Sequence, residues 1–279
     1  VTTGPALPAG PVAALTLVRY APRAAALGAM HMATQRRLLA REPGLRFARL
    51  LGTGAGIGFS AAPDLTAWGL FGVWDSAADW ERFRAESPVA AQYRRRGCET
   101  FSLLLSPLSS HGRWGGVDPF AADGAPPPSA PAPPPTASGP PSHGAAPLSG
   151  DAAASPAAPA PGEPVAVLTR ASIRMRAAGR FWGRVGAVDA TLRDHPDLLL
   201  SFGVGEAPWV LQGTVSVWRS TAAMRAWAYA TPAHAEVVRR TRDEGWYAEE
   251  LFARFRPVAT AGTWNGRVRL DGVVPHLPG

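Results

Sequence analysis

One unit of this chain is written twice. Val73-Trp74-Asp75-Ser76 returns as Val217-Trp218-Arg219-Ser220. At the same spacing Ser87-Pro88 returns as Thr231-Pro232, and Arg95-Arg96 as Arg239-Arg240. Phe101-Ser-Leu-Leu-Leu-Ser-Pro107 answers Leu251-Phe-Ala-Arg-Phe-Arg-Pro257, and both copies close on a tryptophan beside glycine, Trp114-Gly-Gly116 and Trp264-Asn-Gly266. Upstream, Leu51-Gly-Thr-Gly54 matches Phe202-Gly-Val-Gly205, with Pro43 and Pro196 at corresponding helix exits. The offset drifts from 144 (Val73 to Val217) to 153 (Pro43 to Pro196), as small loop insertions allow. A repeat of this length restricts the fold to two copies of one domain-sized motif.

Between the copies, residues 121–163 hold 13 prolines among 43 residues, the rest mostly Ala, Ser and Gly. Such a segment buries too little apolar surface to offset its ordering entropy, and reads as a semi-extended, disordered linker. The chain divides into 12–116, a first repeat; 117–163, the linker; 164–266, a second repeat that is the expected cofactor-bearing half; and 267–279, a tail.

Periodicity gives the same order in both repeats. Strands are expected at 12–19, 46–51, 68–74 and 99–105, with helices at 24–40 and 76–97. In the second copy strands are expected at 165–169, 198–203, 210–218 and 246–255. Its helices fall at 177–194 and 220–245, the latter broken at Thr231-Pro232, where proline suits a helix start. That is β-α-β-β-α-β twice, the ferredoxin-like order. Each four-stranded sheet has one face under helices and one needing a partner, which the other copy can supply. The expected fold is α+β: tandem ferredoxin-like repeats forming a pseudo-dimeric α/β barrel.

Composition removes several functions. The net charge of +7 comes from arginine alone, since the chain has no lysine. No arginine cluster is interleaved with stacking aromatics, so nucleic-acid binding is not expected. The single cysteine, Cys98, rules out a disulfide scaffold and a cysteine-based metal centre, and fits a reducing cytoplasm. Cys98 reads as a small buried hydrophobe, the rarer alternative being a thiolate ligand. No apolar run is long enough to span a bilayer, and the first residues, VTTGPALPAG, show no secretory signal. A cytoplasmic protein is expected.

Familiar motifs fail. In Gly52-Thr-Gly54-Ala-Gly56-Ile-Gly58 the dinucleotide fingerprint needs glycine where Ile57 stands, so a β-turn is the simpler reading, as at Gly203-x-Gly205. No Gly-x-Ser-x-Gly elbow occurs. The six histidines, His31, His111, His143, His195, His234 and His276, never pair at helical metal-site spacing. A single axial ligand to a haem iron needs only one.

His234 is the candidate. It shares a helix face with Val237, Val238 and Thr241, opposite Glu236, Arg239, Arg240 and Asp243, and its counterpart in the first copy is Ala90. The plain alternative is a helix-start histidine bonded to a carbonyl. His31, on a helix face with Leu27 and Leu38, is the runner-up ligand. Arg239 and Arg242 are candidates for haem propionates or another anion, and Trp246 and Tyr247 for a pocket wall; a solvated helix end leading into a strand explains the same residues.

Ser201-Phe-Gly-Val-Gly-Glu-Ala-Pro-Trp-Val-Leu-Gln-Gly-Thr-Val-Ser-Val-Trp218 and Arg240-Thr-Arg-Asp-Glu-Gly-Trp-Tyr-Ala-Glu-Glu-Leu-Phe-Ala-Arg-Phe255 resemble the spheroidene monooxygenase family of carotenoid biosynthesis. The resemblance is closer over 164–266 than over 12–116. It implies a dimeric α/β-barrel fold, O₂-dependent oxidation of acyclic carotenoids and a haem cofactor. The long Pro/Ala linker and the worn first copy are departures, so reaction class carries over further than substrate. The resulting expectation is a haem-dependent oxygenase using O₂ and an external electron donor on an apolar substrate. His234 would bind iron, with Trp209, Trp218, Trp227, Trp246 and Tyr247 as pocket walls. Membrane contact would be at most peripheral, through the substrate, and a homo-oligomer is compatible. Alternatives are a cofactor-free barrel oxidase, a haem-transforming enzyme, or a non-catalytic haem- or lipid-binding module.

Overall fold

A computed structural model describes residues 7–55, 62–121, 160, 162–207 and 209–278. The expected linker lies almost wholly outside the described residues, as do Gly56, Ile57 and Gly58.

The first half comprises β1 (Val12–Arg19), α1 (Ala25–Leu39), β2 (Leu45–Gly54), β3 (Pro63–Trp74), α2 (Ala77–Glu86), α3 (Pro88–Arg96) and β4 (Glu99–Gly112). The second comprises β5 (Val165–Ile173), α4 (Ala178–Arg193), β6 (Leu198–Ala207), β7 (Leu211–Trp218), α5 (Thr221–Ala230), α6 (Pro232–Asp243) and β8 (Tyr247–Gly262), followed by a short β9 (His276–Leu277). The repeated serines explain themselves as helix starts. Ser76 Oγ accepts the Asp79 N–H at 3.2 Å and Ser220 Oγ that of Ala223 at 3.1 Å, each satisfying an orphan donor of the first turn.

The single helix expected at 76–97 is two. Ser87, extended (ψ 135°) as the residue before proline must be, ends α2 and caps α3 through a 3.1 Å bond from the Val89 N–H. Gly203 and Gly205 lie inside β6, not in a turn. At Gly205 the constraint comes from β7: a Cβ there would sit 2.7 Å from the Leu211 carbonyl. On its other side Gly205 pairs with Gly52 of β2.

The strands run β4-β1-β3-β2 in the first half and β6-β7-β5-β8 in the second, all antiparallel. Two seams close them into an eight-stranded barrel. The β4–β8 seam runs from Phe101↔Gly262 to Gly112↔Leu251, whereas β2–β6 pairs only at Gly52↔Gly205 and Thr53↔Val204. β4 and β8 extend past the expected ends at 105 and 255, and the added residues form much of the long seam.

The barrel interior is filled. Leu15, Phe71, Phe101, Leu168, Val217 and Phe255 are all at most 1% exposed. A tryptophan turn enters from each half, Trp114 and Trp264. Glu249 accepts the Gly115 and Gly116 amides at 2.8 and 2.6 Å, and Glu99 accepts those of Asn265 and Gly266 at 2.9 and 2.8 Å. Those turns use left-handed backbone at Gly115, Gly116, Asn265 and Gly266, the residue types that tolerate it. Each half thus holds the other's closing turn with a carboxylate. The tail belongs to the wall: Leu270 is buried against the barrel core and β9 pairs with β8.

Candidate functional site

A cavity of about 530 Å³ opens in the first half beside α1 and β2, lined by Arg36, Leu39, Phe47, Arg49 and Glu206. The packing between the sheet and its outer helices differs between the halves. In the first, Val12, Ala14, Val18, Leu50, Leu70 and Trp74 of the sheet join Trp80, Phe83, Val89 and Tyr93 of the helices in one continuous cluster. Polar groups in and beside it pair: the Tyr20 hydroxyl bonds His31 Nδ1 at 2.7 Å, Tyr93 donates to Gln35 Oε1 at 2.7 Å, and Gln35 Nε2 donates to Gln92 at 3.0 Å. The buried Trp74 and Trp80 indoles stay without a hydrogen-bond partner among the described residues.

In the second half the same layer falls into two clusters. One gathers Val165, Leu192, Trp218 and Met224 with Trp227; the other gathers Ile173, Phe181 and Trp246 with Val185 and Val237. Between them Thr169, Thr214 and Ser216, on central strands beneath helices, remain half-buried. Val188 follows the inward spacing of Phe181, Val185 and Leu192, yet packs in neither cluster.

Matching positions show the cause. Counting from Trp74 and Trp218, Leu70 (2% exposed) becomes Thr214. In the sheet register, which sits two residues from the motif match of Gly52 to Gly203, Leu50, paired with Leu70, becomes Gly203, paired with Thr214. Counting from the prolines of the repeat, Tyr93 becomes Val237 and Gln35 becomes Val188. At these four positions the second half carries the smaller side chain, although Ala90 and Phe83 answer to the larger His234 and Trp227. α1 accordingly rests on β2 and β3, whereas α4 makes its main contacts with α6.

His234 stands at the rim of this open layer, in the first turn of α6. Its Nδ1 lies 2.7 Å from the Ala228 carbonyl and its ring centroid 4.4 Å from that of Trp227. A carbonyl only accepts, so Nδ1 carries the proton and Nε2 keeps its lone pair. Among the described residues Nε2 has no hydrogen-bond partner. Burial lowers the His234 pKa below the ordinary histidine value, opposed by the bond to the Ala228 carbonyl, so the neutral ring is favoured. A fixed, neutral imidazole with one free nitrogen can ligate a single metal ion of a planar cofactor.

Trp227, its Nε1 on Thr191 Oγ1 at 3.1 Å, and buried Trp218, 5.3 Å from Trp227, lie on the His234 side. Trp246, fully buried, and half-buried Tyr247 belong to the opposite cluster. Trp209 is on the β6–β7 turn, 57% exposed. Arg239 is exposed and paired with Glu236 and Asp243; Arg242 is exposed with no ion pair among the described residues. Val238 is 37% exposed, so the inward face of α6 is centred on His234, Val237 and Thr241. His31 is held by Tyr20 in the filled layer, and Cys98 is exposed instead of buried, its Sγ 3.3 Å from the Arg19 carbonyl.

One polar cluster went unnoticed in the sequence. Arg170, 5% exposed, pairs with Glu249 and lies 3.6 Å from Glu206, which also accepts the Trp114 indole N–H at 2.6 Å and pairs with Arg49 at 3.2 Å. It ties the barrel end together and lies on the interior face, apart from the open layer.

Fold and layer define a single-chain barrel of the dimeric α+β type with one of its two helix-covered layers opened. A crystal structure of aldoxime dehydratase has this fold, with a TM-score of 0.55 at 13% identity over 88% of this chain and 81% of that one. No protein-family profile matches the chain. The spheroidene monooxygenase of Rhodobacter capsulatus is 34% identical over 258 residues, covering 92% of this chain and 94% of that protein. The enzyme of the same description from Rubrivivax gelatinosus is 34% identical over 92% of this chain and 86% of its own. The chain belongs to the spheroidene monooxygenase family, and its enzyme class is that of a monooxygenase.

Proposed function

We propose that this monooxygenase oxidises an acyclic, apolar carotenoid-type substrate with O₂, using a haem held in the open layer of the second half with His234 as axial ligand. The observation that carries this reading is the Nε2 of a neutral, carbonyl-anchored imidazole, unpartnered among the described residues, beside a layer whose apolar residues divide into two clusters where the first half has one. When bound, haem supplies the binding and activation of O₂.

The chain's own contribution is positional. The Ala228 carbonyl fixes the tautomer and ring orientation of His234. Val188 and Val237 offer apolar walls that exclude water, and Trp227 covers one side of the imidazole. Arg242, lacking a carboxylate partner, is better placed than the engaged Arg239 to meet a propionate. The electrons come from an external donor.

Protein expressed with haem supply should show a Soret band and convert an acyclic carotenoid in the presence of O₂ and reductant. His234→Ala should keep its melting temperature but lose most bound haem, while His31→Ala, His111→Ala and His195→Ala retain it. Loss in His31→Ala with normal content in His234→Ala moves the ligand to the first half. Unchanged spectra in every single variant end the histidine assignment.

A further inference from the structure

At the α4 N-terminal end of the second half, two exposed apolar side chains stand out beyond the core. Trp209 is 57% exposed and Met175, in the short 3-10 turn before α4, is 76% exposed. They belong to adjoining segments. The Ile173 N–H donates to the Val210 carbonyl at 2.8 Å, and Trp182 Nε1 donates to the Trp209 carbonyl at 3.0 Å. Trp209 is held with φ +64°, left-handed backbone that a bulky aromatic seldom adopts. The Trp182 bond fixes that turn, so the indole is presented to solvent by a supported conformation.

Charge flanks this tip. Arg174 and Arg176 stand on either side of Met175, both exposed. Arg174 Nε donates to the Tyr247 carbonyl at 3.0 Å, and neither arginine has a carboxylate partner among the described residues. The neighbouring Arg180 does have one, Glu244 at 3.0 Å. From the tip, Trp182, Val185, Val237 and Tyr247 continue as half-buried apolar surface along the second cluster towards the open layer.

We infer that this tip docks on an anionic lipid bilayer. Trp209 and Met175 enter the headgroup region, and Arg174 and Arg176 meet lipid phosphates. An indole combines an apolar body with a polar N–H suited to the interface, and unpaired guanidiniums beside it add attraction to negative headgroups. A protein partner would favour apolar surface rimmed by charges of both signs; here the two free flanking charges are both positive. This inference does not depend on haem, and its test reads vesicle binding alone.

The full chain is co-sedimented with vesicles of phosphatidylcholine and phosphatidylglycerol in equal parts, and with phosphatidylcholine alone, at low and high salt. Binding is expected to the anionic vesicles and to weaken with salt. Trp209→Asn, which suits the left-handed turn, should weaken it by about tenfold or more, as loss of a buried aromatic side chain implies. Met175→Ser should weaken it less. Arg174→Gln and Arg176→Gln should each cost about fivefold, the share of one cation near an anionic surface. Tyr229→Ser, also exposed but on α5, away from the turns that carry Trp209 and Met175, should bind as the parent does. Unchanged circular dichroism melting shows that the variants fold. The inference fails if anionic vesicles are not bound, or if binding survives both Trp209→Asn and Met175→Ser. It also fails if sedimentation shows a dimer that Trp209→Asn dissociates, which would give the tip to a second copy of the chain.

Discussion

Thr214→Leu restores to the second half the residue that fills the first. Leu70, its counterpart, is 2% exposed against α-helical cover, whereas Thr214 is half-buried beneath the same kind of cover. The change adds one carbon and exchanges a hydroxyl for a methyl. At about 0.8 kcal/mol per buried methylene, and with no polar group left to desolvate, it should stabilise the cofactor-free protein by about 1–2 kcal/mol. The reciprocal Leu70→Thr removes packed volume and buries a hydroxyl, and should cost about 2–4 kcal/mol. Urea unfolding of the two variants and the parent gives both numbers. Haem titration followed at the Soret band then tests the proposed site, since a leucine between Thr169 and Gly203 would narrow the layer proposed to hold haem. Uptake should fall sharply in Thr214→Leu and stay near the parent level in Leu70→Thr at temperatures where that variant is folded. The reasoning is refuted if Thr214→Leu destabilises the protein by more than 1 kcal/mol, a magnitude typical of overpacking, about 1–3 kcal/mol. That would mean the layer is already closed.

Three further outcomes follow from the burial and bonding of particular residues. Burial lowers the pKa of both His31 and His234, assisted at His31 by Arg96 and opposed at His234 by the Ala228 carbonyl. The unfolded chain therefore takes up these protons first, so their contribution is whole above about pH 6.5 and declines as pH falls below it. Melting of the cofactor-free protein between pH 7.5 and 5.5 should show that decline, and the double variant His31→Gln/His234→Gln should flatten it. Gly183 lies exposed in mid-α4, where a Cβ would meet nothing within 4 Å, so Gly183→Ala should raise stability by about 0.5–1 kcal/mol. A lowered melting temperature would instead mean that another surface covers this face. Glu249→Ala leaves the Gly115 and Gly116 amides and nearly buried Arg170 short of a carboxylate, and should cost about 3 kcal/mol in urea unfolding; a loss under about 0.5 kcal/mol, the scale of an exposed pair, would contradict the clamp.

The repeated Val-Trp-x-Ser was legible because its parts have local causes: a strand ending in a core tryptophan, then a serine that caps a helix. The same chemistry at Ser87-Pro88 marks a second helix start, and the helical periodicity on both sides hid it. β4 and β8 were read short because Pro107 and Pro257 look like strand ends. In the barrel they sit at irregularities of the long seam, where a missing N–H is tolerated. Glycines 52, 203 and 205 suggested turns because glycine alone does not say whether it is needed for φ or for close approach. At Gly205 it is approach, by the Leu211 carbonyl of β7. Cys98 was misplaced because its type favours burial, while its position just before β4 leaves it exposed. The open layer could have been found in the sequence by aligning the copies position by position and asking where side chains shrink. Leu70 to Thr214 and Tyr93 to Val237 are that signal, but its meaning depends on knowing that both residues face the helices.

The polar members of the first half also answer why that layer is closed by Tyr20, His31, Gln35 and Tyr93 and not by leucines alone. Each is at most 8% exposed, and each finds a partner within the layer or in α3, so none leaves a costly orphan group. Directional bonds fix how α1 and α3 sit on the sheet, with Gln35 reaching both Tyr93 and Gln92 across the two helices. A chain of bonds with one geometry holds those helices in one place. In the second half the matching positions are Ile173, Arg184, Val188 and Val237, which impose no such geometry on α4 and α6. A helix pair held to its sheet by two separate apolar clusters, and not by directional bonds, can part more readily to admit a flat ligand, provided that something else keeps the barrel intact. The long β4–β8 seam and the reciprocal Glu99 and Glu249 clamps do so, because they join the second half's strands to the first without passing through the open layer. Under the proposed function, duplication separates two demands that a single ferredoxin-like unit would have to meet at once: one copy's helices are bonded to each other and to the sheet as the scaffold, and the other copy carries the proposed site.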